Sequence, residues 1–120
     1  MTSIQIIDEA EDFLRRRAAE LTQPREEECL CCYVARLLVE FPCDGSVRHA
    51  LHYRDVVAPR ATGLATRLGR VGGYCDCELF LNGYQLRGAD VDAAFDVLPP
   101  CNGVRRGSVQ PCGNWVRIRR

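Results

Sequence analysis

The sequence predicts an α+β domain, mainly helical, with about four helices, a short β-hairpin and a C-terminal loop anchored by cysteines. Three observations carry this reading. Apolar residues recur at steps of three and four from Ile6 to Leu68, the period of helices that pack by one face. An alternating run ends in Asn82-Gly83, the strongest short signal for a tight hairpin turn. Eight of the 120 residues are cysteine, more than small apolar filling of one core explains. A chain of this length buries roughly two thirds of its unfolded surface, which suits one core, so residues 1–120 are expected to form a single Cys-rich domain.

Ile6, Ile7, Ala10, Phe13, Leu14, Ala18 and Leu21 place a first amphipathic helix over residues 4–21. Pro24 followed by Glu26, Glu27 and Glu28 suits the start of a second, since proline is tolerated in the first turn and carboxylates there complement the helix dipole. Leu30, Tyr33, Val34, Leu37, Leu38 and Phe41 form its inward stripe, and Pro42 ends it. Asp44 and Ser46 read as caps for a third helix carrying Val47, Ala50 and Leu51, which Ala58-Pro59 interrupts. Pro59 opens a short fourth helix with Leu64, Ala65 and Leu68 inward, stopped by Gly72-Gly73.

Residues 74–81 then read as a strand, with Cys75, Cys77, Leu79 and Leu81 on its core face and Tyr74, Asp76, Glu78 and Phe80 on the other. Tyr84, Gln85 and Leu86 form the returning strand, and residues 90–98 a helical turn or two before Pro99-Pro100. The last twenty residues form a loop fastened at Cys101 and Cys112, with Trp115 as the one indole.

No apolar stretch approaches the roughly 20 residues that span a bilayer, and no basic leader precedes an apolar run, so the chain is expected in the cytoplasm. A reducing compartment keeps thiols free, which makes metal ligation the leading use of the cysteines. Thiolate-rich tetrahedral sites favour zinc or iron–sulfur clusters, and the spacings do not follow a four-cysteine ferredoxin run, so zinc is expected. Cys29 and Cys32 share one edge of the second helix and can hold one ion. Cys31 sits about 200° around from Cys29 and is set apart as a packed or exposed thiol.

Cys75 and Cys77 would lie roughly 7 Å apart at Cα on a strand, too far for a disulfide, yet able to converge on a metal. Cys43 lies between a helix end and a capped helix start, where backbone N–H groups favour a thiolate. The expected ligands are therefore Cys29, Cys32, Cys43, Cys75, Cys77, Cys101 and Cys112. One site takes Cys43, Cys75 and Cys77 with a fourth ligand from Cys32, Cys29 or His49; the other takes Cys29, Cys32, Cys101 and Cys112. This gives one or two zinc ions per chain, since four ligands close one site. His49 and His52, at i and i+3, also fit as ordinary partly buried histidines.

Cys43-Asp44-Gly45-Ser46 and Gly72-Gly73-Tyr74-Cys75-Asp76-Cys77-Glu78 give the segment from Cys43 to Asn82 a resemblance to an uncharacterised bacterial family of small domain-of-unknown-function proteins. The second motif is the more specific. Members of that family often carry His after the Cys-Asp, which would complete a His-plus-three-Cys set, whereas this chain has Gly45. The resemblance implies a metal-binding architecture and no particular activity.

The formal charge is zero, from 16 basic and 16 acidic residues, and every basic residue is arginine. The charges are segregated: residues 1–28 hold 4 Arg against 8 acids, residues 48–70 hold 5 Arg against 1, and residues 101–120 hold 5 Arg and no acid. If the two basic stretches meet, they form a patch suited to phosphates, with Trp115 and Tyr84 available for stacking.

The expected function is that of a small cytoplasmic zinc-binding protein with structural thiolate-rich sites, acting as a macromolecular interaction module. Its partner is expected to be a protein, with nucleic acid as the second choice through residues 48–70 and 101–120. The alternative is a redox- or metal-responsive thiol switch built on the cluster Cys29-Leu30-Cys31-Cys32. A zinc hydrolase or deaminase ranks below these, because the chain lacks a His-x-Glu preceding a Pro-Cys-x-x-Cys.

Overall fold

The computed structural model describes residues 3–88 and 98–119, and the side chains from Ile6 onward within them. The elements run α1 (Ser3–Leu21), α2 (Leu30–Glu40), α3 (Arg48–Val57), α4 (Leu64–Arg70), a three-residue α5 (Asp76–Glu78) continuing into a π-helical turn (Leu79–Gly83), β1 (Tyr84–Leu86) and β2 (Trp115–Arg117). The fold is α+β and mainly helical, as the sequence predicts. The helical turn expected at residues 90–98 falls, but for Leu98, outside the described residues. Among the described residues no helix is long and apolar enough to cross a membrane.

The core gathers on α2, whose Leu30, Tyr33, Val34 and Leu37 are all buried as the stripe predicts. They pack with Ala50 and Tyr53 of α3, Leu64 and Leu68 of α4, Leu79 and Trp115. Tyr33 and Tyr53 meet with ring centroids 5.4 Å apart. Both hydroxyls are satisfied inside: Tyr33 donates to the Thr22 carbonyl (2.6 Å), and Tyr53 to those of Glu28 (2.7 Å) and Ser108 (3.1 Å). A buried phenol left unpaired would cost the desolvation of its hydroxyl, which these bonds offset.

Five local expectations are corrected. Helix α1 does not bury its apolar stripe in this core: Ile6, Ile7, Phe13 and Leu14 are exposed. Helix α2 starts at Leu30 and not near Pro24, because Glu27 adopts φ 60 and Cys29 is extended, which ends any helix from the N-terminal side. Asp44 and Ser46 do not cap α3; Asp44 accepts from Ser46 in a local turn instead. The cap comes from Asp76, whose buried carboxylate accepts the N–H groups of His49 (2.9 Å) and Ala50 (3.2 Å). In α4, which starts at Leu64 and not near Pro59, Leu64 and Leu68 point inward but Ala65 is exposed.

The fifth correction is residues 74–81, which do not form a strand: Cys75 is an extended N-cap and the chain is helical from Asp76 on. Asp76 and Leu79, three apart, are the fully buried pair, while Cys77 and Leu81 are exposed, so the run follows a helical period. Tyr84–Leu86 is a strand, yet its antiparallel partner is Trp115–Arg117, with Leu86 opposite Trp115 and Tyr84 opposite Arg117. That pairing carries the C-terminal segment back onto α2 and lets Trp115 enter the core.

Candidate metal centre

Cys29 is the N-cap of α2, and its sulfur accepts the Cys32 N–H at 3.3 Å. Capping fixes the first turn so that Cys29 and Cys32 face the same way, a Cys-x-x-Cys knuckle at a helix start. The C-terminal loop delivers the other two thiols. Cys101 Sγ accepts N–H groups from Cys29 (3.3 Å) and Gly103 (3.3 Å), and Val104 N–H bonds to the Glu27 carbonyl (2.9 Å). Gly103 has φ +84, a backbone state that glycine adopts freely. Cys112 Sγ lies 3.7 Å from Cys32 Sγ. The Trp115 indole, brought in by β2, donates to Cys32 Sγ at 3.2 Å.

The sulfurs of Cys29, Cys32, Cys101 and Cys112 all lie within 4.8 Å of one another, close enough to hold a metal ion. Among the described residues this is the one group of three or more potential ligands so close. Four sulfurs at about 2.3 Å from a tetrahedral ion are about 3.8 Å apart, so the group needs only a small contraction. Cys29, Cys32 and Cys112 are buried and Cys101 is half-buried. The Cys29 thiol is pulled down to about 5, chiefly by a hydrogen bond from the Cys32 thiol and against burial, with help from the N–H groups of Cys32 and Cys112. The same bond, with burial, pushes the Cys32 thiol up. One member of the pair is thus a ready thiolate and the other keeps the proton that a cation would displace.

Cys31 stays outside this group. It is fully buried, and desolvation, then the charges of Cys29 and Cys112, raise its pKa well above the usual thiol range. It is a packed thiol.

Cys43, Cys75 and Cys77 form a second, looser group. Cys43 Sγ accepts N–H groups from Gly45 (3.4 Å) and Cys77 and interacts with the thiols of Cys75 and Cys77. Burial opposes its ionisation, but these hydrogen bonds outweigh burial and its pKa lies below the usual value. Cys75 caps α5, accepting the Glu78 N–H at 3.5 Å, and its thiol donates to the Glu78 carboxylate at 3.6 Å. Cys77 is exposed and is pushed up to about 11 by desolvation and by Cys43. The fourth ligands considered for this group are engaged elsewhere. Cys29 and Cys32 belong to the quartet, and His49 Nε2 lies 2.9 Å from the Phe41 carbonyl oxygen. His52 is exposed on α3.

Asp76 holds the second group in place. Its N–H bonds to the Ser46 carbonyl (3.0 Å) while its carboxylate caps α3, which ties the Cys43 turn to the Cys75–Cys77 turn. Burial raises the Asp76 pKa, opposed by the bonds from His49 and Ala50.

Three contributors escape a reading of ligand spacings. Asp76 looks like a solvated residue, Trp115 lies far from Cys32 in sequence, and Glu28 is taken for a first-turn helix charge. Glu28 is instead buried in a two-point pair with Arg36, both contacts at 3.0 Å, directly before Cys29. One signal was available: Pro100-Cys101-Asn102-Gly103 and Pro111-Cys112-Gly113-Asn114 share a proline before, and a glycine soon after, each cysteine.

The two basic stretches do meet. Arg67 and Arg70 of α4 and Arg117 of β2 line one cleft of about 260 Å³ with Tyr84, and the Arg117 guanidinium stacks 5.8 Å from the Tyr84 ring centroid.

Residues 30–82 match the family model described as Protein of unknown function (DUF2695). An uncharacterized protein of Mycobacterium bovis and one of Mycobacterium tuberculosis are each 40% identical over 67 residues, an alignment covering 55% of this chain and 68% of each relative. No solved structure matches the chain significantly. The matched residues span α2, the Cys43 turn and the Cys75-Asp76-Cys77 turn, and the chain belongs to this family of proteins of unknown function.

Proposed function

We propose that the chain is a small zinc-binding protein whose structural ion, held by Cys29, Cys32, Cys101 and Cys112, pins the C-terminal loop to the start of α2. The metal-fastened fold then serves as an interaction module. The observation that supports this most is the mutual approach of four sulfurs from two distant segments within 4.8 Å. Four thiolates satisfy a tetrahedral ion completely, which suits a structural site and leaves no position for substrate. The tetrahedral all-thiolate donor set suits zinc or iron, and zinc, which has no redox chemistry, fits a purely structural role.

Native mass spectrometry with elemental analysis tests the reading. The expected result is at least one zinc per chain, and loss of helical circular dichroism when a strong chelator removes it. A metal-free, fully folded chain, or a chelator without effect on folding, overturns it.

The group Cys43, Cys75 and Cys77 supports a second, more labile ion and with it a switch reading placed here and not on the cluster Cys29-Leu30-Cys31-Cys32, whose thiols are all buried. Cys77 is exposed and Cys43 half-buried, so an oxidant reaches them before the quartet. In the proposed step hydrogen peroxide takes two electrons from two metal-bound thiolates, Cys43 and either Cys75 or Cys77: their sulfurs join in one disulfide, the peroxide O–O bond breaks, two protons from solvent complete two waters, and the ion is released. Thiol titration with and without mild peroxide checks it: metal lost from this group alone supports the switch, and no metal release removes it.

A nucleic-acid partner is supported by the shared cleft of Arg67, Arg70 and Arg117. Binding of a short RNA or DNA should weaken steeply with salt and fall in Arg67→Ala with Arg117→Ala. Salt-independent binding, or none, discards this partner.

A further inference from the structure

Helix α1 presents an apolar stripe that nothing among the described residues covers. Ile6 is 55% exposed, Ile7 56%, Phe13 61% and Leu14 63%. Among the described residues the hydrogen bonds that tie this helix to the rest of the fold lie near its end, where Tyr33 donates to the Thr22 carbonyl and Arg36 to the Leu21 carbonyl (2.9 Å). A lone helix of this length is marginal in water, and an exposed stripe of four large apolar residues marks a contact surface.

The charges along the helix say what covers it. Asp8, Glu9, Glu11 and Asp12 occupy the first half, and Arg15, Arg16 and Arg17 follow. Arg15 pairs with Glu11 (3.6 Å) and Asp12 (4.0 Å), and Arg17 with Glu20 (3.5 Å), all within the helix. Glu9 and Arg16 have no ion-pair partner among the described residues; Arg16 reaches only the Asp12 backbone carbonyl. They stand two turns apart on the same edge of the stripe, acid toward one end and base toward the other.

We propose that α1 pairs antiparallel with α1 of a second copy of this chain. In the register that sets small Ala10 against Phe13 of the second copy, Ile7 lies against Leu14 of the second copy. That same register puts Glu9 beside Arg16 of the second copy, and the two-fold axis repeats every contact. A parallel pair would instead oppose acid to acid and base to base, so the charge order selects both the partner and the direction. This names a first partner for the interaction role, yet it stands on α1 alone and needs no metal.

Sedimentation equilibrium of the full chain tests it, with metal content and circular dichroism measured on the same samples. The expected result is a dimer, weakened at least ~100-fold by Phe13→Glu with metal and fold unchanged. Glu9→Arg and Arg16→Glu should each weaken it about 10-fold at low salt, and the double variant should recover it, because reversal of both charges restores every pair. A monomeric wild type, a dimer indifferent to Phe13→Glu, or no recovery in the double variant overturns the proposal. Each of these outcomes leaves the zinc reading to its own measurement.

Discussion

Cys101 and Cys43 each stand two residues before a glycine of positive φ, whose N–H turns back to the sulfur at 3.3 and 3.4 Å. The same local device ends in two different surroundings. Cys101 joins a quartet in which three thiols are buried and an indole N–H completes the hydrogen bonding. Cys43, itself half-buried, joins one exposed thiol, Cys77, and one buried thiol, Cys75, that is tied to a carboxylate. The difference lies in what each group fastens. The quartet joins segments some seventy to eighty residues apart, whereas the triad joins two turns that Asp76 already holds together. A crosslink that closes a long loop restrains the unfolded chain more, so the quartet should dominate stability and the triad should respond to solution conditions.

The largest test of that contrast replaces one ligand in each group. Cys112→Ser should abolish cooperative thermal unfolding, since a structural zinc contributes on the order of 10 kcal/mol to folding. Cys77→Ser should shift Tm by only a few degrees while lowering metal content. Equal destabilisation by the two would end the contrast.

A smaller effect is expected from Glu28→Ala, which strips the buried partner of Arg36 just before Cys29. Urea titration should show a loss of about 3 kcal/mol, because an unmatched charge is left half-buried. A loss near zero would mean that the pair does not position the Cys29 knuckle.

Asp76→Ala leaves two N–H groups of α3 without their cap and should cost about 1–2 kcal/mol. It should also speed metal loss from the triad and leave the quartet ion bound. Chelator kinetics followed by native mass spectrometry separate the two, and parallel loss from both would contradict the division of roles.

The smallest effect is expected from Tyr53→Phe, about 1 kcal/mol for its two hydrogen bonds. Burial raises the Tyr53 pKa above the ordinary value near 10, so the native state keeps a proton that the unfolded chain gives up. The contribution is fully present below about pH 10 and is lost as pH rises through the folded value. Melting curves should therefore lose part of their alkaline fall in Tyr53→Phe, and an unchanged pH profile would show that this phenol does not carry it.

Much of this was legible in the chain. The stripe of α2, the terminator Gly72-Gly73, the separation of Cys31 and the segregation of the Arg-rich stretches follow from spacing and charge, whereas the meeting of those stretches is a condition that only the structure fulfils. The misread strand at residues 74–81 shows the limit. Alternation of Cys and Leu satisfies a period of two over so short a run, but burial of Asp76 with Leu79 satisfies a helical period, and only the α3 N-terminus awaiting a cap decides between them.

Sequence alone determined the residue types: thiols enough for two metal sites, a helix with an apolar stripe and divided charge, and a core stripe on α2. Tertiary structure decided the company they keep. Which four thiols converge depends on β1 pairing with β2 rather than with residues 74–81, and whether α1 is covered depends on where the chain turns after Leu21. Periodicity reports which face of an element is apolar, a local property. Closure of distant segments is a global one, set by packing and hydrogen bonds that no window of sequence contains.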